Sequence, residues 1–387
     1  MSVHRIALAA VLLAVPALAP AQPAPAPPAW RAAHPAPARA AWYERFQEAR
    51  SGPVSSEEWT RTFKVGPNGS FDLNNVAGNV TVAGAAGDEI RVQATKRVRT
   101  KNPEEARLQL ERIVIDVAES AGRVEINTVF PHGKNVRAEV EYAVQVPWTV
   151  AVAIRTVAGD IEISKVKGDV RLDSVSGDIV TTATPRLSRV KSVSGDIRIA
   201  DAVAENTLTL GTISGDLEAR RVKARAVELQ TVSGDLALID SVCERAQVRS
   251  VSGNVEFGGA LAKGGRYEFN SHSGDVLVAL TGKTGFEIAA NTFSGTLRSD
   301  LPLTSRHEEA QPAGGRHPWG EKRELRGTFG DGSAMLLVKT FSGSVVVSTK
   351  GAPAPAPEKD KSRLKDKTKG QVPSPPPPPD PPAPPRP

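Results

Sequence analysis

The stretch Ser174-Val175-Ser176-Gly177-Asp178-Ile179 occurs again, unchanged, at Ser192–Ile197. Its core is a small residue, a glycine, a residue that is usually acidic and an aliphatic residue, and further copies stand at Ala77–Val80 and Ser342–Val345. Repetition at a short, regular period is typical of a fold built from stacked units. The glycines of the central copies follow one another at steps of 18 to 21 residues: Gly159, Gly177, Gly195, Gly215, Gly234, Gly253, Gly274 and Gly295.

Each repeat predicts two short strands and two turns. Segments such as Leu208–Leu210 and Val227–Leu229 alternate apolar with polar residues, as a strand with one buried face does. Glycine permits the positive φ of a tight turn, and the following aspartate can bond the turn backbone. Because one such unit cannot bury its apolar face alone, we expect units stacked about 4.8 Å apart. The fold class predicted for residues 158–349 is all-β, a single-stranded β-solenoid of about eight to nine coils.

The sequence before and after the central repeats departs from the pattern. Residues 60–157 carry longer strand-like stretches, and we predict an N-terminal β-rich capping section there, because an open terminal coil would expose unpaired strand edges. Within it, Asn102 as N-cap and Pro103 at the first helical position predict a helix that runs to about Arg112. Towards the other end, an insertion over residues 302–326 precedes a final coil through Val347.

The two ends of the chain predict export and unstructured arms. Residues 1–21 read as a signal peptide, with a polar start, the apolar run Ile6–Val15 and a small-residue cleavage site at Ala19–Ala21. Residues 22–59 form an Ala/Pro-rich linker and residues 350–387 a Pro/Lys-rich disordered tail. The mature chain has no segment long and apolar enough to be a predicted transmembrane span. We therefore expect a periplasmic, cell-surface or extracellular protein.

Composition excludes several kinds of site. The single cysteine, Cys243, allows no internal disulfide framework and no cysteine-based zinc site. The six histidines include no H-x-x-x-H pair. The formal net charge is +6, but residues 351–387 contribute seven Lys/Arg and four Asp/Glu, or +3 of that total. A nucleic-acid-binding face is therefore not expected on the folded body.

The repeated T/S-V-S-G-D-I core resembles the bacterial "putative adhesin" family of β-strand-repeat proteins, a domain of unknown function. The resemblance covers roughly residues 60–349. It rests on six segments, which are preceded by Val146-Pro147: Thr156–Ile161, Ser174–Ile179, Ser192–Ile197, Thr212–Leu217, Thr231–Leu236 and Thr340–Val345. It implies a solenoid fold and export or surface exposure. It brings no catalytic residues with it.

In stacked units the residues after the glycines would form a ladder of carboxylates. Neighbouring carboxylates about 5 Å apart repel by roughly 1 kcal/mol in water, so the ladder needs turn N–H groups, water or a divalent cation. We interpret these aspartates mainly as turn-formers. The candidate cation ladder, with Ca²⁺ as the cofactor it could hold, is Asp178, Asp196, Asp216 and Asp235.

Before each glycine we expect side chains that alternate outward, inward and outward, with an inward aliphatic residue between two outward hydroxyls, as in Thr231-Val232-Ser233. Rows of such hydroxyls could bind sugars or ordered water. The same alternation places His272 in an inward slot. It places Cys243 at the surface or in a turn, where a free thiol could pair between molecules.

The sequence predicts no catalytic residues and no cofactor-binding motif; it contains no G-x-S-x-G, P-loop or H-E-x-x-H. The predicted function is an exported, non-catalytic, adhesin-like or envelope-associated interaction module. Its expected partner is an envelope protein or a cell-surface polysaccharide. The alternative is a polysaccharide-active β-helix enzyme, whose acids and bases would come from the insertion: His307, Glu308, Glu309 and His317.

Overall fold

A computed structural model describes residues 54–66, 68–100, 102–130, 138–304 and 323–349. Within these ranges the chain is almost entirely β-strand, with one helix. The all-β prediction is confirmed. The predicted signal peptide, most of the predicted linker, residues 305–322 of the insertion and the proline-rich tail lie outside the described residues.

The first strand begins at Val54, inside the stretch predicted to be linker. The elements up to the first central repeat are β1 Val54–Lys64, β2 Ser70–Ala77, β3 Val80–Ala85, β4 Glu89–Arg99, α1 Pro103–Arg112, β5 Val114–Ser120, β6 Arg123–Val129, β7 Ala138–Pro147, β8 Ala151–Ala158 and β9 Ile161–Ser164.

The remaining strands carry the repeats. They are β10 Val170–Ser176, β11 Ile179–Thr182, β12 Leu187–Lys191, β13 Ile197–Ala200, β14 Val203–Gly211, β15 Leu217–Arg220, β16 Lys223–Ser233, β17 Leu236–Ser252, β18 Val255–Ser273, β19 Val276–Thr281, β20 Phe286–Ser294, β21 Leu297–Ser299, β22 Arg323–Phe329, β23 Ala334–Ser342 and β24 Val345–Thr349.

Each repeat places one strand before the glycine turn and one after it. The strand before the turn, such as β10, pairs in parallel with its counterparts β8 and β12 in the neighbouring repeats. The strand after the turn, such as β11, does the same with β9 and β13. The strands form one long sheet that does not close, as in a β-solenoid-like fold.

The core consists of rows of apolar side chains that continue from one repeat to the next. One row comes from the strands before the turn and includes Leu172, Val190, Leu210 and Leu229. A second row, from the strands after the turn, contains Ile161, Ile179, Ile197, Leu217, Leu236 and Val255. Burial of each such side chain stabilises the fold by about 1.5–3 kcal/mol, so the register of the stack is fixed by continuous burial.

Both ends of the chain's repeat region lie inside the stack. The early strand β2 pairs on one side with β6 and on the other with β8. The late strand β23 pairs with β18 and β20. The final repeat, at Gly343, therefore stacks between Gly274 and Gly295. The order of the coils in the stack therefore differs from their order in the sequence. After the Gly295 repeat the chain returns through β22, and its last strands lie between the Gly274 and Gly295 repeats.

Antiparallel strands adjoin the outermost parallel ones. At one end β4 pairs antiparallel with β7, β1 with β4 and β5 with β6. At the other end β22 pairs antiparallel with β20. The Gly78 repeat stacks directly on Gly159, so the parallel stack continues across residue 158 and the predicted start of the solenoid there is not a structural break.

The predicted helix is confirmed with its cap. The Asn102 side-chain oxygen accepts a hydrogen bond from the Glu104 backbone N–H at 3.0 Å, and Pro103 starts the helix. The helix ends at Arg112 and buries Ala106 and Leu110 against β4 and β1. Among the described residues no helix is long and apolar enough to cross a membrane.

The glycine of each repeat has no room for a Cβ, and in every repeat but the one at Gly295 its φ is also positive. Gly215 has a φ of 140°, where a side chain strains the backbone, and a Cβ there would meet the carbonyl oxygen of Gly195 in the next layer. The neighbouring Gly211 has neither constraint. Its Cβ would meet only the Gln230 carbonyl oxygen, at 3.7 Å.

We expect Gly215→Ala to lower the free energy of unfolding by at least about 1–3 kcal/mol, because the strained φ adds to a backbone clash. Gly211→Ala is the matched control and should leave it within about 1 kcal/mol. Urea unfolding followed by circular dichroism measures both. Equal midpoints for the two variants would contradict the stacked-turn geometry.

Candidate functional site

The side-chain alternation of each strand continues as far as the residue two before the glycine and breaks at the next residue. The residue three before the glycine points inward and is buried, as at Thr212 and Thr231, whereas the residue two before it points outward, as at Ile213 and Val232. The prediction of an inward aliphatic between outward hydroxyls is therefore wrong. Two consecutive residues, the second and the first before the glycine, face solvent because the chain bends there. We call this bend, which joins the strand before the glycine to the strand after it, the arch.

Several of the inward hydroxyls bond to carbonyl oxygens of the arches, whereas those of Thr156, Thr231 and Ser250 have no hydrogen-bond partner among the described residues. Thr292 Oγ1 donates to the Gly343 carbonyl oxygen at 3.0 Å, and Thr340 Oγ1 donates to that of Gly274 at 3.3 Å. Ser192 Oγ donates to the Ser194 carbonyl oxygen within its own arch, at 3.3 Å. A small side chain with a hydroxyl fits inside the arch because it occupies little space and can pair with a carbonyl. These inward hydroxyls are therefore not a sugar- or water-binding surface, whereas the serines directly before the glycines, such as Ser233 and Ser252, are exposed as predicted.

The outward residues two before each glycine form a continuous stripe along the stack, which we call the apolar ridge. The nonpolar members are each 42–52% exposed. Layers lie about 4.8 Å apart, so the ridge is about 43 Å long. In spatial order it consists of Val76, Val157, Val175, Val193, Ile213, Val232, Val251, His272, Phe341 and Phe293.

One end of the ridge is aromatic. The rings of His272 and Phe341 are stacked with centroids 4.9 Å apart and planes 10° apart. Phe341 and Phe293 are stacked at 4.9 Å and 5°. His272 is exposed, so its predicted place in an inward slot is wrong. We call these three side chains the aromatic end of the ridge.

The predicted aspartate ladder exists, and its carboxylates bond the backbone of the next layer. Asp196 N–H donates to Asp178 Oδ1 at 2.8 Å, Asp216 N–H to Asp196 Oδ1 at 2.9 Å, and Asp235 N–H to Asp216 Oδ1 at 2.8 Å. Asn254 N–H continues the series onto Asp235 Oδ1 at 2.7 Å. Each aspartate thereby satisfies an arch N–H that has no backbone acceptor facing it, which is the turn-forming role expected of it.

The second carboxylate oxygens of the ladder are only partly engaged. Arg198 donates to Asp178 Oδ2 at 3.3 Å and to Asp196 Oδ2 at 2.6 Å. Within the described ranges no three Asp, Glu, His or Cys side chains come together as a group that could hold a metal ion. The ladder thus presents carboxylates in the five successive layers from Asp160 to Asp235 and again at Asp275, beside the apolar ridge and three residues further along each arch. The other layers have an uncharged residue there: Asn79, Asn254, Ser344 and Thr296.

Cys243 is buried, which corrects its expected position at the surface or in a turn. The preceding residue, Val242, is 51% exposed, so the side chains of this part of the strand point to the opposite sides from those that the alternation predicts. Burial raises the pKa of the Cys243 thiol to about 12. The thiol is therefore protonated at neutral pH and enclosed, and it has no access to a second molecule.

The candidate enzyme residues His307, Glu308, Glu309 and His317 lie outside the described residues. In the part of the chain that is described, one open depression of about 390 Å³ is bordered by Asp169, Arg171, Arg186 and Glu205. Its charges pair with one another, Arg171 with Asp169 at 2.7 Å and Arg186 with Glu205 at 3.4 Å. This arrangement leaves no convergent acid and base directed at a common point.

We expect Asp216→Ala to destabilise the protein by about 1 kcal/mol, because the Asp235 N–H loses its acceptor. Asp216→Asn should cost less, since asparagine keeps the accepting oxygen and already occupies the equivalent position at Asn254. Thermal unfolding of both variants, with Ca²⁺ and with a chelator, is the measurement. If Asp216→Asn lowered the stability as much as Asp216→Ala does, the negative charge and not the hydrogen bond would stabilise the turn, and the proposed role of the aspartate would be wrong.

We expect Cys243 to resist thiol reagents in the native protein and to react in denaturant, because modification needs an accessible thiolate. Ser252→Cys, exposed on the outer side of an arch, is the control and should react at once. Release of thionitrobenzoate followed by absorbance reports both rates. Comparable native rates at the two positions would show that the thiol is accessible.

Several solved structures are similar to this chain. A "putative adhesin" from Bacteroides fragilis is 13% identical, with a TM-score of 0.39, over 76% of this chain and 98% of that chain. A "putative lipid binding protein" from Parabacteroides distasonis is 9% identical, with a TM-score of 0.38, over 76% and 97%. A "putative cell adhesion protein" from Clostridium sporogenes is 10% identical, with a TM-score of 0.25, over 76% and 100%. Among curated proteins, none matches.

The sequence pattern of the Toastrack DUF4097 family matches residues 70–348, which runs from β2 to the last strand and includes every arch described above. This match confirms the resemblance to the "putative adhesin" repeat family that the S-G-D motifs indicate. The chain belongs to the Toastrack DUF4097 family.

Proposed function

We propose that this protein is an exported, non-catalytic binding module, and that its contact surface is the apolar ridge. The observation that carries the proposal is the length of the ridge: apolar side chains stand outward in consecutive layers across the stack. Contiguous exposed apolar surface of this kind marks interaction sites in soluble proteins.

The arch itself does not require an apolar residue at the ridge position. Threonine has the same β-branched shape as valine and a comparable preference for strands, and it would place a hydroxyl in water instead of two methyl groups. The chain nevertheless has valine or isoleucine at the ridge from Val157 to Val251. The apolar character of the ridge is therefore better explained by a partner than by the fold.

An envelope protein suits this surface better than a cell-surface polysaccharide does. The aliphatic ridge offers no hydrogen-bond donor or acceptor from its side chains, whereas sugar hydroxyls need such partners. The hydroxyls three before the glycines lie inside the arches and are not available to a sugar. Aliphatic and aromatic contacts supply most of the binding energy at protein interfaces.

We propose further that binding needs no metal or other cofactor. One oxygen of each ladder aspartate already accepts a backbone hydrogen bond, as Asp178 and Asp235 do. The arch is therefore complete without a cation, and Ca²⁺ should not change partner binding.

The test uses the mature chain as bait against solubilised envelope fractions, with and without Ca²⁺. The triple variant Val175→Thr, Val193→Thr and Val232→Thr keeps side-chain shape and removes apolar surface, and we expect it to weaken capture at least about tenfold. The control is Val203→Thr with Val242→Thr, two exposed valines on another part of the coil. Equal capture by the two sets of variants would contradict the ridge as the contact surface.

The enzyme alternative is tested with the same protein. Purified chain is incubated with cell-wall and pectic polysaccharides, and the reducing ends are measured. Under the proposal no new ends appear. Cleavage that is lost in Glu308→Ala with Glu309→Ala would overturn the non-catalytic function.

A further inference from the structure

The aromatic end of the ridge combines exposed rings with an absence of hydrogen-bonding groups on Phe341 and Phe293. The arch backbone beside them is already paired: the Gly343 N–H donates to the Ser294 carbonyl oxygen at 3.0 Å, and the Gly274 N–H donates to that of Ser342 at 3.0 Å. An ordinary peptide lying across these rings would bury N–H groups without acceptors, which costs free energy. A run of prolines has no N–H to bury.

The chain itself contains such a run at Pro375–Pro379. Consecutive prolines favour the polyproline II helix, with three residues per turn and a rise of about 3.1 Å per residue, so one turn is about 9 Å long. Two ring-to-ring steps of 4.9 Å from His272 through Phe341 to Phe293 cover nearly the same distance. Prolines one turn apart would thus meet the first and the third ring.

The point of attachment brings the prolines within reach. The described chain ends at Thr349 in β24, which follows directly from the Phe341 arch. About 25 residues separate Thr349 from the proline run, and a chain of that length spans roughly 25–30 Å on average. The eight residues from Phe341 to Thr349 span at most about 29 Å, so the linker is long enough to return to the aromatic end.

The charges in between are complementary. Residues 358–369 hold six Lys/Arg and three Asp/Glu. Beside the aromatic end the residues after the glycines are Asp275, Ser344 and Thr296, so the negative charge of the ladder here is that of Asp275, and the next carboxylate, Asp235, lies two layers away. A basic segment along the ladder would hold the prolines next to the rings, whereas an anionic membrane surface would be repelled by the ladder.

We propose that Pro375–Pro379 docks on the aromatic end of the ridge in the same molecule, so that the chain covers this end of its own contact surface. The proposal rests on the ridge being a contact surface, as in the proposed function. It concerns the three aromatic positions, whereas the aliphatic ridge from Val157 to Val251 stays open to a partner.

The experiment measures binding of a dye-labelled synthetic peptide, residues 371–387, by fluorescence anisotropy. The acceptors are the intact mature chain and a full-length variant in which Pro375–Pro379 are replaced by Gly and Ser. We expect saturable binding to the variant, and binding about tenfold weaker to the intact chain, because a tethered tail competes at about millimolar effective concentration. No binding to either chain, or equal binding to both, would overturn the proposal.

Two further substitutions in the tail-replaced chain locate the site. Phe341→Thr with Phe293→Thr should abolish peptide binding, and Leu108→Thr, at an exposed position of α1, should leave it unchanged. Retained binding in the double variant would contradict docking on the rings. Sedimentation velocity of the tail-replaced chain shows whether the ring variants instead abolish self-association, in which case a second copy is the occupant and the proposal is wrong.

The outcome is separable from that of the proposed function. Envelope capture depends on Val175, Val193 and Val232, whereas peptide binding depends on Phe341 and Phe293. Loss of one result with retention of the other identifies which of the two assignments has failed.

Discussion

The structure depends on stacking an identical arch in every layer about 4.8 Å above the last. At that spacing the glycine has no room for a side chain. A Cβ at Gly195, for example, would clash with the carbonyl oxygen of Gly177 in the adjacent arch. The arch also leaves one N–H without a backbone acceptor, and the aspartate of the adjacent layer accepts it. The S-G-D signature therefore records two requirements of one contact: no Cβ at the second position and a short acceptor at the third.

The same arch decides which side chains face water. A strand that continued regularly would alternate, but the bend turns two successive residues outward before the glycine. The hydroxyl residue ahead of them points inward, where Thr292 and Thr340 bond to glycine carbonyl oxygens. The apolar residue is thereby placed on the outer corner, and repetition of the arch turns a single exposed valine into a continuous ridge.

The structural features that depend on residues within a single repeat could be predicted from the sequence. The glycine spacing predicts the turns and the strand class, and Asn102 with Pro103 predicts the helix and its start. The aliphatic character of the ridge position in most repeats suggests burial and so misplaces Val232 and His272, whereas alternation continued from the buried Leu229 and Phe269 places both outward. Cys243 is misplaced because Asp240, at a φ of 52°, shifts the phase of the alternation within β17, and a pattern of period two does not mark such a shift. The insertion of β23 between β18 and β20 could not be predicted either, since stacking of similar repeats gives little preference for one neighbour over another.

The chemistry of the arch also limits what the ridge can accept. Each layer that presents an apolar residue on the corner presents a carboxylate or its replacement three residues later, because the arch needs that oxygen as an acceptor. The ridge is therefore bordered along one side by negative charge over the layers from Asp160 to Asp235 and again at Asp275, whereas Asn254 supplies the same accepting oxygen without a charge. Arg198 neutralises this charge only around Asp178 and Asp196. A partner that combines apolar surface with an adjacent cationic segment matches both rows at once, whereas an apolar surface edged with anions meets repulsion along the whole ladder.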